Sequence, residues 1–284
     1  MDLQFFGGRG GGSGRKNKRA SILQPAPELD KIKPESQYMD ILKMKFNTML
    51  RTYQQNLSET VTENDLLAIE DKMREMLSSN EVHIGIRFHA EDLKAILNDG
   101  RFKSQFETGK SGGSYDPAFR RKAEKEQMGY KKSTLKQDRP IYGMLFEGKD
   151  TSKISPTQFG GVHYGDVVAI LKPSVKTHST VTFEDSLSVH GGVCTSPLLK
   201  PSRYSIPTSY KTFHNFYESS KSGGKMQLSK VITNNISGYA EVQIHNRQAT
   251  VSNIERLIFP KWFSKDDIPV DFLRKQGIKW NTEK

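Results

Sequence analysis

The chain has 284 residues and a formal net charge of +11. It has no apolar run long enough for a transmembrane helix, and its single cysteine, Cys194, excludes an internal disulfide and a cysteine-rich zinc site. The positive balance favours contact with polyanions, and no contact with a membrane is expected.

Residues 1–37 are predicted to form a flexible tail. Residues 7–14 are mostly glycine, residues 15–19 are basic, and three prolines interrupt any helix further on. Leu3, Phe5 and Phe6 are the apolar residues at its start. Two interpretations are open for this tail. It is either a solvated terminus or a short docking peptide whose apolar end binds a partner.

Residues 38–80 are predicted to form an antiparallel pair of helices. Apolar residues recur at three- and four-residue steps in both halves of this segment, which indicates one apolar stripe on each helix. The stripes consist of Met39, Leu42, Phe46, Met49 and Tyr53, and of Leu66, Ile69, Met73 and Met76. Thr62 followed by Asp65 is typical of a helix N-cap and marks the start of the second helix.

Residues 81–284 are predicted to form one domain of short strands, so the fold class is α+β. Val82, Ile84 and Ile86 alternate with other residues and indicate a first strand. Further strands are predicted at 141–146, 167–171, 180–183, 230–232, 239–244 and 256–258. Helical pattern is scarce between 148 and 260, and a last helix is predicted from Ser264 to Gly277.

The stretch 101–136 is strongly basic, with ten lysines and arginines against four acidic residues. It is predicted either to present an anionic acceptor or a cofactor pyrophosphate, or to be a solvated, mobile loop. The signatures of a P-loop, a dinucleotide-binding turn, a zinc metalloprotease and a serine hydrolase are absent from the chain. Its seven histidines are scattered, so no metal site is predicted.

Three groups of polar residues on predicted strands remain as candidates for chemistry. Arg87 ends the first strand, and an arginine there is suited to bind phosphate or ribose oxygens. Ser179, Thr180 and Thr182 place hydroxyl groups on a middle strand. Glu241 lies on a late strand. Each group alone is also typical of an ordinary surface strand.

The order of these groups carries a resemblance to a known family. With arginine on an early strand, hydroxyl residues on a middle strand and glutamate on a late strand, residues 81–260 resemble the ADP-ribosyltransferase-like domains attached to phage minor head proteins. The stretches that carry the resemblance are IGIRFH, LNDGRFKSQFETGKSGG, RPIYGMLF, YGDVVAILKP, STVTFEDS and YAEVQIHN followed by ERLIFP. The N-terminal LQFF also resembles the leader of phage head-module proteins.

The resemblance implies a split β-sandwich that binds NAD. Glu241 would be catalytic and would stabilise positive charge on the ribose as nicotinamide leaves. It would lie in a cleft, outside the core. Arg87 would bind a phosphate or the ribose, and the hydroxyls of Ser179, Thr180 and Thr182 would position the glutamate.

Aromatic residues complete the implied site. Tyr142, Tyr164 or Phe183 would stack on the nicotinamide ring. Tyr239 occupies the acceptor-side position, two residues before Glu241, where arginine-modifying members carry Glu or Gln. This departure puts arginine in question as the acceptor and leaves another protein side chain, nucleic acid or water.

The expected setting is the phage virion or the host bacterial cytoplasm, with the N-terminal tail docking to the head or portal. Two alternatives remain open at this point. The protein is then either an inactive minor head or ejected protein that binds DNA or the portal, or a nuclease-type toxin that uses histidine and glutamate. Against the nuclease, only His245 lies close to Glu241 in the sequence.

Overall fold

The computed structural model describes residues 33–111, 116–187, 194–233, 235 and 237–283, and its fold is α+β, as predicted. The helices are α1 (Ser36–Leu57), α2 (Glu63–Ser78), α3 (Leu93–Asp99), α4 (Gln105–Thr108), α5 (Pro117–Met128), α6 (Tyr210–Lys221), α7 (Leu228–Ile232) and α8 (Val270–Lys275). The strands are β1 (Val82–Phe88), β2 (Ile141–Glu147), β3 (Val167–Leu171), β4 (Ser179–Thr182), β5 (Ser196–Pro197), β6 (Glu241–Ile244), β7 (Ile254–Phe259) and β8 (Lys279–Thr282). Most of the predicted tail, residues 1–32, lies outside the described residues.

All eight strands form one sheet, in the order β5-β4-β6-β2-β1-β3-β7-β8. The neighbours pair antiparallel except β7 and β8, which are parallel. Strand β1 is therefore central. Strand β6, which arrives late in the chain, lies between β2 and β4, so residues distant in sequence become neighbours.

Helices α1 and α2 bury the predicted apolar stripes, except that Met39 at the start of the first stripe is only half-buried. Thr62 and Asp65 form a reciprocal capping box at the start of α2, as the sequence indicates. The two helices share one apolar core with α6 and with one face of the sheet, through Tyr53, Met73 and Phe213 among others.

Two predictions for the middle of the chain are wrong. Helix α6 lies in the range 148–260, where the sequence indicates few helices. Its aromatic residues Phe213, Phe216 and Tyr217 are of types common in strands, yet they share one buried face of the helix. The predicted strand 230–232 is part of α7. The carboxylate of Glu147 accepts hydrogen bonds from the first backbone N–H groups of α7 and stabilises it as a helix.

The predicted C-terminal helix is shorter and starts later. Ser264 caps only a 3-10 turn at Lys265–Asp267, and α8 begins after Pro269. Beyond Gly277 the chain adds β8 to the edge of the sheet, a strand that the sequence did not predict.

The second face of the sheet carries its own apolar cluster. It consists of Met144, Phe146, Ile154, Val168, Ile170, Tyr239 and Ile258, with Phe159 and Tyr164 packed against it. Residues 148–166 contribute to this cluster, and α5 contacts the same face further along. The basic stretch 101–136 is therefore not a mobile loop over its described part: it forms α4 and α5, which pack onto the protein.

Candidate functional site

The strand register brings the predicted arginine and glutamate to one face of the sheet. Gly85 on β1 lies opposite Met144 on β2, Met144 lies opposite Glu241 on β6, and Glu241 lies opposite Thr182 on β4. Residues directly opposite each other share a face. Side chains also alternate along a strand, so Arg87, two residues beyond Gly85, is on that face as well.

By the same alternation, the predicted hydroxyl residues lie on two different faces of the sheet. Thr180 lies opposite Gln243 and shares the face of Glu241. Ser179 faces the other side of the sheet, where its Oγ donates to the carbonyl oxygen of Val175 at 2.9 Å. The structure thus brings together Thr180, Thr182 and Glu241, and it does not bring Ser179 to them.

Arg87 is a buried cation, 7% exposed. Its Nε donates to Met144 Sδ and an Nη donates to the carbonyl oxygen of Gln158, both at 3.1 Å. Its guanidinium also lies over the ring of Phe146. No carboxylate of the described chain pairs with it, and burial lowers its pKa to about 10. The positive charge of Arg87 is therefore not neutralised by a carboxylate of the described residues.

Glu241 is also buried, 6% exposed, where the sequence predicted a carboxylate outside the core. Its Oε1 accepts a hydrogen bond from Gln243 Nε2 at 2.7 Å. Burial, and then the charge of Asp185, raise its pKa to about 7, although Ser186, Arg120 and Gln243 oppose the rise. Near neutral pH this carboxyl group is therefore poised between its two protonation states.

The two threonines reach Glu241 through Gln243, a residue for which the sequence indicated no role. Thr180 Oγ1 donates to Gln243 Oε1 at 2.7 Å, and Gln243 Nε2 donates to Thr182 Oγ1 at 3.1 Å. Gln243 is fully buried. Strand alternation in the sequence already puts positions 241 and 243 on the same face, and the role of Gln243 follows only from its hydrogen bonds.

The predicted aromatic residues have different surroundings. Phe183 is fully buried and packs edge to face against Phe216 of α6. Tyr142 lies opposite Gln243, and its hydroxyl donates to Glu124 Oε1 at 3.1 Å. The hydroxyls of Tyr164 and Tyr239 lie 3.4 Å apart. Tyr239, predicted at the acceptor side, is only 4% exposed and belongs to the second apolar cluster.

Helix α5 covers this face with polar side chains. The guanidinium of Arg120 lies over the Tyr142 ring, 4.4 Å from its centroid. Arg120 is 5% exposed, and within the described residues its Nη1 has no hydrogen-bond partner. Glu124 pairs with Arg139 instead. In the sequence, Arg120 is distinguishable only as part of a basic stretch, because its approach to Tyr142 depends on how α5 packs.

The arrangement suits an anion better than a metal ion. Arg87 and Arg120 are two buried cations on one face, and a buried guanidinium nitrogen without a partner is costly unless a ligand satisfies it. In the part of the chain that the structure describes, no cluster of three or more His, Cys, Asp or Glu side chains could hold a metal. Nor does any described helix combine the length and apolarity needed to span a membrane.

Comparison with known proteins indicates a phage-encoded protein. No family model matches the chain. It is 28% identical over 234 residues to the "Gene 2 protein" of Mycobacterium phage L5, covering 76% of this chain and 78% of the relative. The "Gene 2 protein" of Mycobacterium phage D29 is 28% identical over 222 residues, covering 76% and 77%. The expected phage origin is thus confirmed, and with it a setting in the virion or the infected cell.

Proposed function

We propose that the protein is an NAD-dependent ADP-ribosyltransferase, with Glu241 as its catalytic carboxylate and Arg87 as its main cofactor-binding residue. One observation carries the proposal: Arg87, Thr180, Thr182 and Glu241 come from three strands far apart in sequence and share one sheet face. These are the residue types, in the chain order, that the resemblance to phage-associated ADP-ribosyltransferase domains implies.

The residues present on this face fit NAD. The cofactor carries a negatively charged pyrophosphate, and Arg87 together with the unpaired Nη1 of Arg120 offers donors and positive charge for it. Tyr142 and Tyr164 remain the proposed ring contacts for nicotinamide. The proposal keeps the split β-sandwich type that the resemblance implies, although the eight described strands are hydrogen-bonded into one sheet.

When bound, NAD would supply a glycosidic bond between ribose and nicotinamide that can be broken with transfer of ADP-ribose. Glu241 would act in its ionised form, because a carboxylate stabilises positive charge that develops on the sugar. Gln243 fixes its Oε1, and the two threonines fix Gln243. Arg87 and Glu241 are both under one tenth exposed, so entry of the cofactor requires movement of α5 or of residues 148–166.

The test is transfer of label from NAD labelled in its adenylate phosphate, in host bacterial extract, with protein and nucleic acid separated afterwards. Wild type should label one fraction, and Glu241→Gln should label it on the order of 10²–10³ times more slowly. Glu91→Gln is the matched control, since Glu91 is exposed and lies outside the face. Equal labelling by wild type and Glu241→Gln would overturn the proposal.

A second candidate function is binding of DNA, favoured by a basic cleft at the opposite end of β1 from Arg87. The cleft has a volume of about 340 Å³ and lies beside His83. Its charged lining residues are Lys149, Lys172, Lys176, Arg256 and Lys279, against Asp150 and Glu255. The buried ammonium of Lys176 donates to the carbonyl oxygens of Leu77 and Ser79 and has no carboxylate partner in the described chain.

Fluorescence anisotropy with a labelled DNA duplex tests this second function. The logarithm of the association constant for DNA should fall linearly with the logarithm of the salt concentration, because phosphate contacts release counterions. Changing Lys149, Lys172 and Lys279 to Gln should reduce the salt slope more than changing Lys131, Lys132 and Lys136, which lie in the basic stretch 101–136 and do not line the cleft. DNA binding that is unaffected by salt and by the cleft substitutions would exclude the cleft as the DNA-binding site.

A further inference from the structure

A continuous chain of hydrogen bonds joins the segment after α5 to Glu241. The Tyr130 hydroxyl lies 2.7 Å from His245 Nδ1, and His245 Nε2 lies 2.9 Å from Thr180 Oγ1. Thr180 Oγ1 lies 2.7 Å from Gln243 Oε1, and Gln243 Nε2 lies 2.7 Å from Glu241 Oε1. The chain thus has four links and passes through two strands.

The links lie away from solvent. His245 and Gln243 are fully buried, and Thr180 is 1% exposed. Water cannot replace a missing partner at such positions, so each buried donor or acceptor left unpaired would destabilise the fold. The position of each hydrogen atom along this chain of hydrogen bonds is therefore constrained.

The direction of each hydrogen bond follows from its acceptor end. An ionised Glu241 only accepts, so the amide nitrogen of Gln243 faces it and the amide oxygen faces Thr180. That oxygen also only accepts, so Thr180 uses its single hydroxyl hydrogen there. Thr180 must then accept from His245, which places the imidazole proton on Nε2.

The same reasoning fixes the other side of the imidazole. A neutral His245 with its proton on Nε2 has a lone pair on Nδ1, which accepts from the Tyr130 hydroxyl. Burial, with a smaller effect of His178, lowers the pKa of His245 to about 3, so the ring stays neutral at ordinary pH. Every donor in the chain consequently points toward Glu241.

A second branch prevents Gln243 from turning over. Its Nε2 also donates to Thr182 Oγ1, which lies 2.8 Å from Thr195 Oγ1. Thr195 Oγ1 in turn donates to Gln127 Oε1 on α5, at 2.9 Å. Rotating the amide of Gln243 would place an oxygen against the Glu241 carboxylate and disrupt both branches.

We propose that Gln243 and His245 are positioning residues for Glu241, with His245 held as the Nε2–H tautomer so that the chain orients the carboxylate and favours its ionised form. The role of Glu241 in this inference rests on the proposed function. The tautomer and the direction of the chain rest only on the contacts described above.

The direct test is NMR of the full-length protein labelled with ¹⁵N-histidine. His245 should show a protonated Nε2 and an unprotonated Nδ1 at about pH 9, where Glu241 is ionised. It should keep this tautomer at about pH 5, because the branch through Thr182 holds the Gln243 amide in place. The His245→Asn variant identifies its signals. A proton on Nδ1, or titration of His245 within that range, would overturn the inference even if the protein never cleaves NAD.

Thr180→Val tests the link between His245 and Gln243 while nearly preserving volume. Loss of one hydrogen bond in a chain that ends on a charge should raise the pKa of Glu241, read from its ¹³C carboxyl signal, by about one unit. Asp185, Arg120, Ser186 and Tyr239, which also influence that carboxyl group, are unchanged in this variant.

Ser179→Ala is the matched control. Ser179 precedes Thr180 on β4 but faces the other side of the sheet. It should leave both the Glu241 pKa and the tautomer of His245 unchanged. If NAD is cleaved, Thr180→Val should also shift the midpoint of the pH–rate profile upward and lower kcat more than it raises KM. An unchanged Glu241 pKa in Thr180→Val would contradict the positioning role.

Discussion

Replacing Glu241 by Gln should stabilise the protein at alkaline pH. The substitution keeps the shape of the side chain and removes a charge that is buried beside Asp185. In its new form the side chain still offers an oxygen to Gln243. The change therefore isolates the cost of keeping an ionised carboxylate on this covered face.

The magnitude follows from the carboxyl pKa. Folding raises it from 4.5 to about 7, and each pKa unit corresponds to about 1.4 kcal/mol, so the charge costs on the order of 3 kcal/mol of folding free energy. The folded state holds the proton more tightly than the unfolded state. Stability is therefore highest below the unfolded pKa and is lost as pH rises from about 4.5 through about 7.

Urea unfolding followed by circular dichroism, at about pH 4.5 and pH 8.5, measures this difference. Wild type and Glu241→Gln should have similar free energies of unfolding at the lower pH. At the higher pH the variant should be more stable by about 3 kcal/mol. Glu91→Gln, at an exposed carboxylate, should follow wild type at both values. Equal stability of wild type and Glu241→Gln at pH 8.5 would refute the reasoning from burial.

Three further predictions concern activity and assembly. Arg87→Ala should raise the Kd for NAD, measured by calorimetry, as well as lower the rate, because its contacts would already exist in the bound ground state. The rate of nicotinamide release should increase as pH rises through about 7, since Glu241 must be ionised; a rate that falls over this range would contradict that requirement. Removing residues 1–14 should leave Tm unchanged but reduce incorporation into phage heads, and normal packaging of the truncated protein would exclude the docking role.

Local pattern was enough for the parts of the fold whose signals lie within one element. The stripes of α1 and α2 and the Thr62–Asp65 cap are properties of consecutive residues, and so is the alternation of β1. Helix α7 could not be predicted in this way, because its stabilising partner is Glu147, about 80 residues earlier. A contact between residues that far apart in the sequence produces no periodic pattern of residue types.

The residues of the candidate site also differ in whether the sequence alone could predict them. Arg87 and Glu241 could be singled out from the sequence, since strand position and residue type carried the resemblance. Arg120 and the hydrogen-bond chain through His245 could not, because they depend on how α5 packs against β2 and how β4 pairs with β6. The burial of Glu241 also results from this packing. It changes the expected behaviour from that of a solvated cleft residue to that of a carboxyl group with a pKa near neutrality.

The most direct test of the central claim is the release of nicotinamide from NAD by the purified full-length protein at about pH 8, where Glu241 should be ionised. Wild type and Glu91→Gln should release nicotinamide at equal rates. Glu241→Gln should bind NAD with similar affinity and release nicotinamide on the order of 10²–10³ times more slowly. Release at the wild-type rate by Glu241→Gln would contradict the account.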